Sequence, residues 1–119
     1  MASPIDAATF ANLLENTGGD REFVDELVDI YVREGDTLVE SLVVAAAANR
    51  IGDLVLPAHS LKSSSLNLGA LELGELCRRL ETEARGGTVA NPVDRANEVK
   101  AAFADARAAL LDERQRRPG

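Results

Sequence analysis

The chain has 119 residues; 45% are apolar but only 3% aromatic, with no Trp, one Tyr and three Phe. That length suits one domain with a single modest core, and a core of Leu, Val, Ile and Ala favours helix packing over a sandwich. Thirteen basic against 20 acidic residues give a formal net charge of −7, which excludes a general nucleic-acid binder, because nothing would neutralise phosphate along a groove.

Three arginines near the end, Arg114, Arg116 and Arg117, are too few and too local to reverse that reading, and residues 113–119 read as a basic, solvated tail. Cys77, the only cysteine, excludes an internal disulfide framework and a cysteine-rich metal site. No leader-like apolar run follows Met1 and no apolar stretch approaches membrane length. The expectation is a cytoplasmic, monomeric chain that forms one domain over 1–119, its core spanning about 5–112.

The pattern is helical almost throughout, and nothing reads as a series of strands. A first helix is expected to open at Ser3-Pro4, a cap residue with proline at the first helical position and Asp6 in the first turn. It carries Ile5, Phe10, Leu13 and Leu14 and stops at Gly18-Gly19. Asp20 caps a longer helix whose predicted core residues are Phe23, Leu27, Ile30, Leu38, Leu42 and Ala45, with Gly35 a weak point inside it. Ile51-Gly52-Asp53 breaks the pattern, and Asp53 is the predicted cap of a third helix, with Pro57 early enough to be tolerated.

Gly69 ends the third helix. A fourth runs through Leu73, Leu76, Cys77, Leu80 and Ala84 to Gly86-Gly87, Cys77 falling among its core positions. Asn91-Pro92 with Asp94 repeats the start signal, and the last helix uses Ala96, Val99, Phe103, Ala106 and Leu110. Short connections imply antiparallel neighbours, hence an all-α, up-down four-helix bundle with a short additional N-terminal helix.

His59 is the only histidine. With Leu61 at zero on a helical wheel, Leu54, Ala58, Leu61, Ser65 and Leu68 all fall between roughly −20° and +60°. His59 falls at about 160°, nearly opposite that stripe, so a core histidine is disfavoured and an ordinary surface histidine stays open. Lys62 and Ser63, three and four residues on, are its next-turn neighbours. Val55, Leu56 and Leu66 also fall on the outer half, where a solitary bundle would be polar. A titratable ring beside a cation and rimmed by aliphatics has the character of a reactive group inside a docking surface.

The run Ala58-His59-Ser60-Leu61-Lys62-Ser63-Ser64-Ser65-Leu66-Asn67-Leu68-Gly69-Ala70 resembles the signature of histidine-containing phosphotransfer (HPt) domains: a small residue, His, any residue, Leu, Lys, a small residue that is most often Gly, then a Gly that closes the helix. Gly52-Asp53 before it, and Leu76-Cys77-Arg78-Arg79-Leu80-Glu81 with Ala84-Arg85 after it, are similar to the family's flanking helices, so the resemblance covers roughly residues 5 to 112. Ser63 departs from the pattern where glycine is usual, which bears on how closely a phosphoryl group lies against the helix.

The resemblance implies that a neutral imidazole nitrogen of His59 accepts a phosphoryl group from a receiver-domain aspartate, or from a kinase, and returns it to another receiver aspartate. Lys62 would offset part of the added charge, and the Ser63 hydroxyl would donate to a phosphoryl oxygen. The receiver would bring Mg²⁺ and most of the catalytic groups, so this chain needs no cofactor or metal of its own. No glycine-rich phosphate loop is present, so the expected role is carrier and not kinase, with response-regulator receivers and a sensor or hybrid histidine kinase as partners and neither nucleic acid nor membrane.

Antiparallel packing about Gly69 brings residues equidistant from it to similar heights; His59 lies ten before it, and Arg78, Glu81 and Arg85 lie nine, twelve and sixteen after it. By motif position Glu81 and Arg85 resemble the family's polar residues near the imidazole. A helix surface paired by charge, Glu81 with Arg85, explains them equally well. A bundle that binds a receiver without carrying phosphate is the rival reading, and the presence of both His59 and Lys62 weighs against it. An enzyme built on a metal or on another nucleophile lacks a ligand set.

Overall fold

A computed structural model describes residues 3–116, and Arg117 with the rest of the basic tail lies outside them. Five α-helices follow in order: α1 (Ala7–Asn16), α2 (Arg21–Ala47), α3 (Val55–Leu68), α4 (Leu71–Arg85) and α5 (Pro92–Arg116), with a 3-10 turn over Ile51–Leu54 leading into α3. The helices α2, α3, α4 and α5 pack as an antiparallel bundle, most extensively as the pairs α3–α4 and α2–α5, and α1 lies against α3 and α2. What reads in sequence as a tail from residue 113 is still helix through Arg116.

The first helix starts later than its sequence signal suggests. Asp6 is the N-cap, its carboxylate accepting from Thr9 N at 3.0 Å and from Thr9 Oγ1 at 2.6 Å, while Ser3 Oγ accepts from Ile5 N just outside the helix. A carboxylate that collects two donors is the stronger cap. Gly18 and Gly19 both take positive φ, 74° and 77°, a turn that residues with a β-carbon adopt at a cost. Asp20 then caps α2 as expected, accepting from Phe23 N at 3.0 Å.

In α2 the buried row is Val24, Val28, Tyr31, Gly35, Val39, Leu42, Ala45 and Ala46. Leu42 and Ala45 are core as predicted, and Leu27 and Leu38 are half-buried, but Phe23 and Ile30 are exposed. The helix is apolar over two adjacent rows, and the row that faces α3 and α5 is the one beginning at Val24. Gly35, the weak point of the helix by propensity, has a packing reason: it is buried, and a β-carbon on it would overlap the Phe103 ring of α5. Tyr31 and Phe103 pack with ring centroids 5.6 Å apart, tilted by 56°, within the favoured range for aromatic pairs.

Asp53 does not cap α3; it sits inside the 3-10 turn, and no side chain caps the helix. The turn runs directly into α3, so the α3 N-terminus never presents free N–H groups that would need a cap. Pro57 falls in the first turn and the helix continues unbroken.

Gly69 closes α3 with φ 91°. Ala70 N donates to Ser65 O at 2.8 Å and Gly69 N to Leu66 O at 3.2 Å, the Schellman pattern that satisfies the last carbonyls. The same glycine anchors α1, because Asp6 N donates to Gly69 O at 2.7 Å, and a β-carbon there would stand 3.0 Å from Asp6 O. Every predicted core residue of α5, from Ala96 to Leu110, is buried, as is Cys77 in α4. Burial pushes the Cys77 thiol up to about 12, so it is a packing group and not a nucleophile at neutral pH.

Candidate functional site

The wheel on α3 holds. Leu54, Ala58, Leu61, Ser65 and Leu68 are all buried, and Ser65, the one polar member, bonds the Tyr31 hydroxyl at 2.7 Å. His59 therefore stands on the outer side of the helix with half of its side chain exposed, 50%.

The compact turn at Gly69 folds α4 back along α3 and brings Glu81 beside His59. Glu81 Oε2 lies 3.0 Å from His59 Nδ1. Its other oxygen, Oε1, accepts from Lys62 Nζ at 2.8 Å, and Arg85 donates to Oε2 through Nε at 2.9 Å and Nη2 at 2.8 Å. The carboxylate is only 8% exposed, so it is a nearly buried charge compensated by three donors, as buried charge requires. Chiefly the Lys62 hydrogen bond, opposed by desolvation and aided by Arg85 and His59, holds its pKa down to about 2.

The Glu81 contact bears on which nitrogen of His59 carries the proton. An ionised carboxylate only accepts, so Nδ1 must donate, and in a neutral ring the lone pair then sits on Nε2. Nε2 makes no hydrogen bond to any of the described residues. A ring with its proton anchored at one nitrogen and an unpartnered lone pair at the other is set up to act as a nucleophile.

The remaining residues singled out in the sequence divide. Lys62 is at the site but turned to Glu81, 23% exposed. Arg85 bonds Glu81, and of these two residues it is Glu81 that makes the hydrogen bond to the imidazole; the charge-pairing and ring-bonding readings of Glu81 hold together. Arg78 is drawn away by Glu75, at 2.8 Å through Nε. Ser63 is exposed, and its hydroxyl makes no hydrogen bond among the described residues.

Of the three aliphatics, Leu56 is 74% exposed. Val55 is half-buried and packs against the core, and Leu66 is exposed but leans over Gly74 of α4. The Lys62–Glu81 pair is the contact that the sequence reading missed. The antiparallel count about Gly69 sets Glu81 nearer the level of His59 than of Lys62, and the long lysine stem spans the remaining distance.

No group of three or more His, Cys, Asp or Glu among the described residues is arranged to hold a metal, and none of their helices is long and apolar enough to cross a membrane. The Hpt domain family model matches residues 26–109. The crystal structure of histidine-containing phosphotransfer protein B from Pseudomonas aeruginosa PAO1 superimposes with a TM-score of 0.87 at 30% sequence identity, covering 99% of this chain and 100% of that one. No curated protein matches the chain by sequence. With the helix order, the exposed histidine and these likenesses in agreement, the chain belongs to the Hpt domain family: it is a histidine phosphotransfer protein of a phosphorelay, a phosphoryl carrier and not a kinase.

Proposed function

We propose that His59 Nε2 is the atom that carries the phosphoryl group, receiving it from a receiver-domain aspartyl phosphate or a kinase and passing it to another receiver aspartate. The observation that carries this reading is the 3.0 Å contact between Glu81 Oε2 and His59 Nδ1, which leaves the Nε2 lone pair facing outward from a half-exposed ring.

In the forward step that lone pair attacks phosphorus, the bond from phosphorus to the acyl oxygen breaks, and the partner's carboxylate leaves with the bonding pair. The Nδ1 proton stays on the ring, and Glu81 offsets the positive charge that the ring acquires. The return step reverses these changes, with imidazole as the leaving group. Transfers of this kind depend on alignment and on neutralising charge more than on covalent help, so a small carrier with one positioned ring suffices when the receiver brings Mg²⁺. Lys62 is the cation for the added phosphoryl charge, and Ser63 offers a hydroxyl on the same exposed side.

Leu56, Leu66 and the edge of Val55 form the apolar rim on which a receiver would dock. The setting that fits is cytoplasmic, with a monomer working between a sensor or hybrid kinase and response regulators. Incubation with a phosphorylated receiver, followed by acid and base treatment, tests the assignment. Label on the chain should be acid-labile and base-stable, and should vanish in His59→Gln; label that persists in that variant overturns it.

A further inference from the structure

Glu81 holds Lys62 and Arg85 at once, and the two cations differ in what they are able to do. Lys62 lies on α3, one turn from His59, and carries a compact charge at the end of a flexible stem with three donors to re-aim. Its Nζ is committed to Glu81 Oε1 at 2.8 Å, so in this state it is not turned to the ring's outer nitrogen. Arg85 lies on α4 at the i+4 position from Glu81 and grips Oε2 through two nitrogens of a planar fork, independently of α3. Arg78 and Arg79 are both occupied by Glu75, leaving Lys62 as the cation best placed to serve a phosphoryl group on His59.

We propose that Lys62 changes partner during transfer, leaving Glu81 for the phosphoryl oxygens on His59, and that Arg85 makes this possible as the positioning residue that keeps Glu81 neutralised. The proposal rests on His59 as the carrier. Without a second cation, departure of Lys62 would strand a nearly buried carboxylate, a costly state. With Arg85 in place and the ring cation on the same oxygen, Glu81 keeps two partners. The exchange adds a phosphoryl–lysine contact without leaving an unpaired charge behind. Glu81 and Arg85 thereby decide how firmly Lys62 holds the phosphorylated state.

A thermodynamic cycle on the full chain tests this, using phosphoramidate as a chemical phosphoryl donor so that no partner protein enters. The readouts are the position of the phosphate by mass spectrometry and the half-life of the phosphohistidine at neutral pH. Lys62→Ala should shorten the half-life about threefold to fivefold, the scale of a partly exposed ion pair. Arg85→Ala should shorten it in the same direction, because Lys62 is then retained by Glu81, whereas Arg85→Lys should preserve it.

The decisive comparison is Arg85→Ala in a Glu81→Gln background, where no carboxylate remains to retain Lys62 and the substitution should have no further effect. An equal loss in both backgrounds means that Arg85 acts on the phosphoryl group directly and overturns the exchange, as does an unchanged half-life in Arg85→Ala alone. Phosphate found away from His59 overturns the carrier assignment itself and this inference with it. Melting curves of each variant separate these results from misfolding.

Discussion

Gly35 of α2 presents bare backbone to the ring of Phe103 on α5, and a β-carbon at that position would overlap the Cε1 and Cζ edge of the ring. Gly74 of α4 makes a superficially similar approach, but what a β-carbon there would meet is the end of the Leu66 side chain. Leu66 is exposed and free to swing aside, whereas Phe103 is buried among close-packed neighbours.

The two glycines should therefore answer differently to alanine. Helix propensity favours alanine by about 1 kcal/mol at either position. At Gly35 overpacking costs about 1–3 kcal/mol, so the net effect of Gly35→Ala should be a loss of up to about 2 kcal/mol, whereas Gly74→Ala should be neutral or slightly stabilising. Thermal melting decides, at roughly 4 °C per kcal/mol for a domain of this size; equal shifts in the two variants would show that the ring contact is not limiting.

Removing either partner of the buried Tyr31–Ser65 hydrogen bond should cost unequal amounts. Ser65→Ala leaves a phenol hydroxyl inside the bundle without its hydrogen-bond partner, a loss of about 1–2 kcal/mol. Tyr31→Phe leaves only a serine hydroxyl, which has the carbonyl one turn back on its own helix as an alternative acceptor, and should cost less than about 1 kcal/mol. Chemical denaturation of the two single variants gives the order directly, and the reverse order would refute the argument.

Acid should expose the linkage of Glu81 to folding. A carboxyl held near 2 when folded, against an ordinary value of 4.5, contributes stability that is fully present above 4.5 and is lost as pH falls from there toward 2. As pH falls from about 4.5 toward 2, the stability gap between the native chain and Glu81→Gln should accordingly change to the native chain's disadvantage. A gap that stays flat down to pH 3 would sink this account.

Leu56 separates docking from folding. Being 74% exposed, its replacement by Asp should leave stability within about 0.5 kcal/mol, yet slow transfer from a phosphorylated receiver, through KM more than through kcat. The same change at Val55 is confounded, since that side chain also packs on the core. Unaltered transfer kinetics in Leu56→Asp would remove the residue from the docking rim.

The bundle was legible in sequence where one face alone is apolar. On α5 and along the Leu54–Leu68 row of α3 every predicted inner residue is buried, because each row keeps one unbroken helical spacing. On α2 two adjacent rows are apolar, and the choice between Phe23 and Val24 is made by α5, whose Phe103 needs the bare Gly35; no single-helix period contains that information. Likewise Asp6 outcompetes Ser3 through Thr9, and Asp53 loses its capping role because the 3-10 turn is continuous with α3. At the site, His59 and Glu81 followed from the motif and the count about Gly69. What sequence did not reveal is that Lys62 and the imidazole share one carboxylate, since a side chain's partner depends on how deeply that carboxylate is buried.

With no Trp and a single Tyr in the chain, its tyrosine emission comes entirely from Tyr31, held between Ser65 of the histidine helix and the Phe103 ring. That signal reports on how α3 seats against α2 and α5. It should change when a bound partner displaces the helix and stay constant when only the outer nitrogen of His59 is modified, so the unlabelled protein can distinguish docking strain from chemistry by light alone.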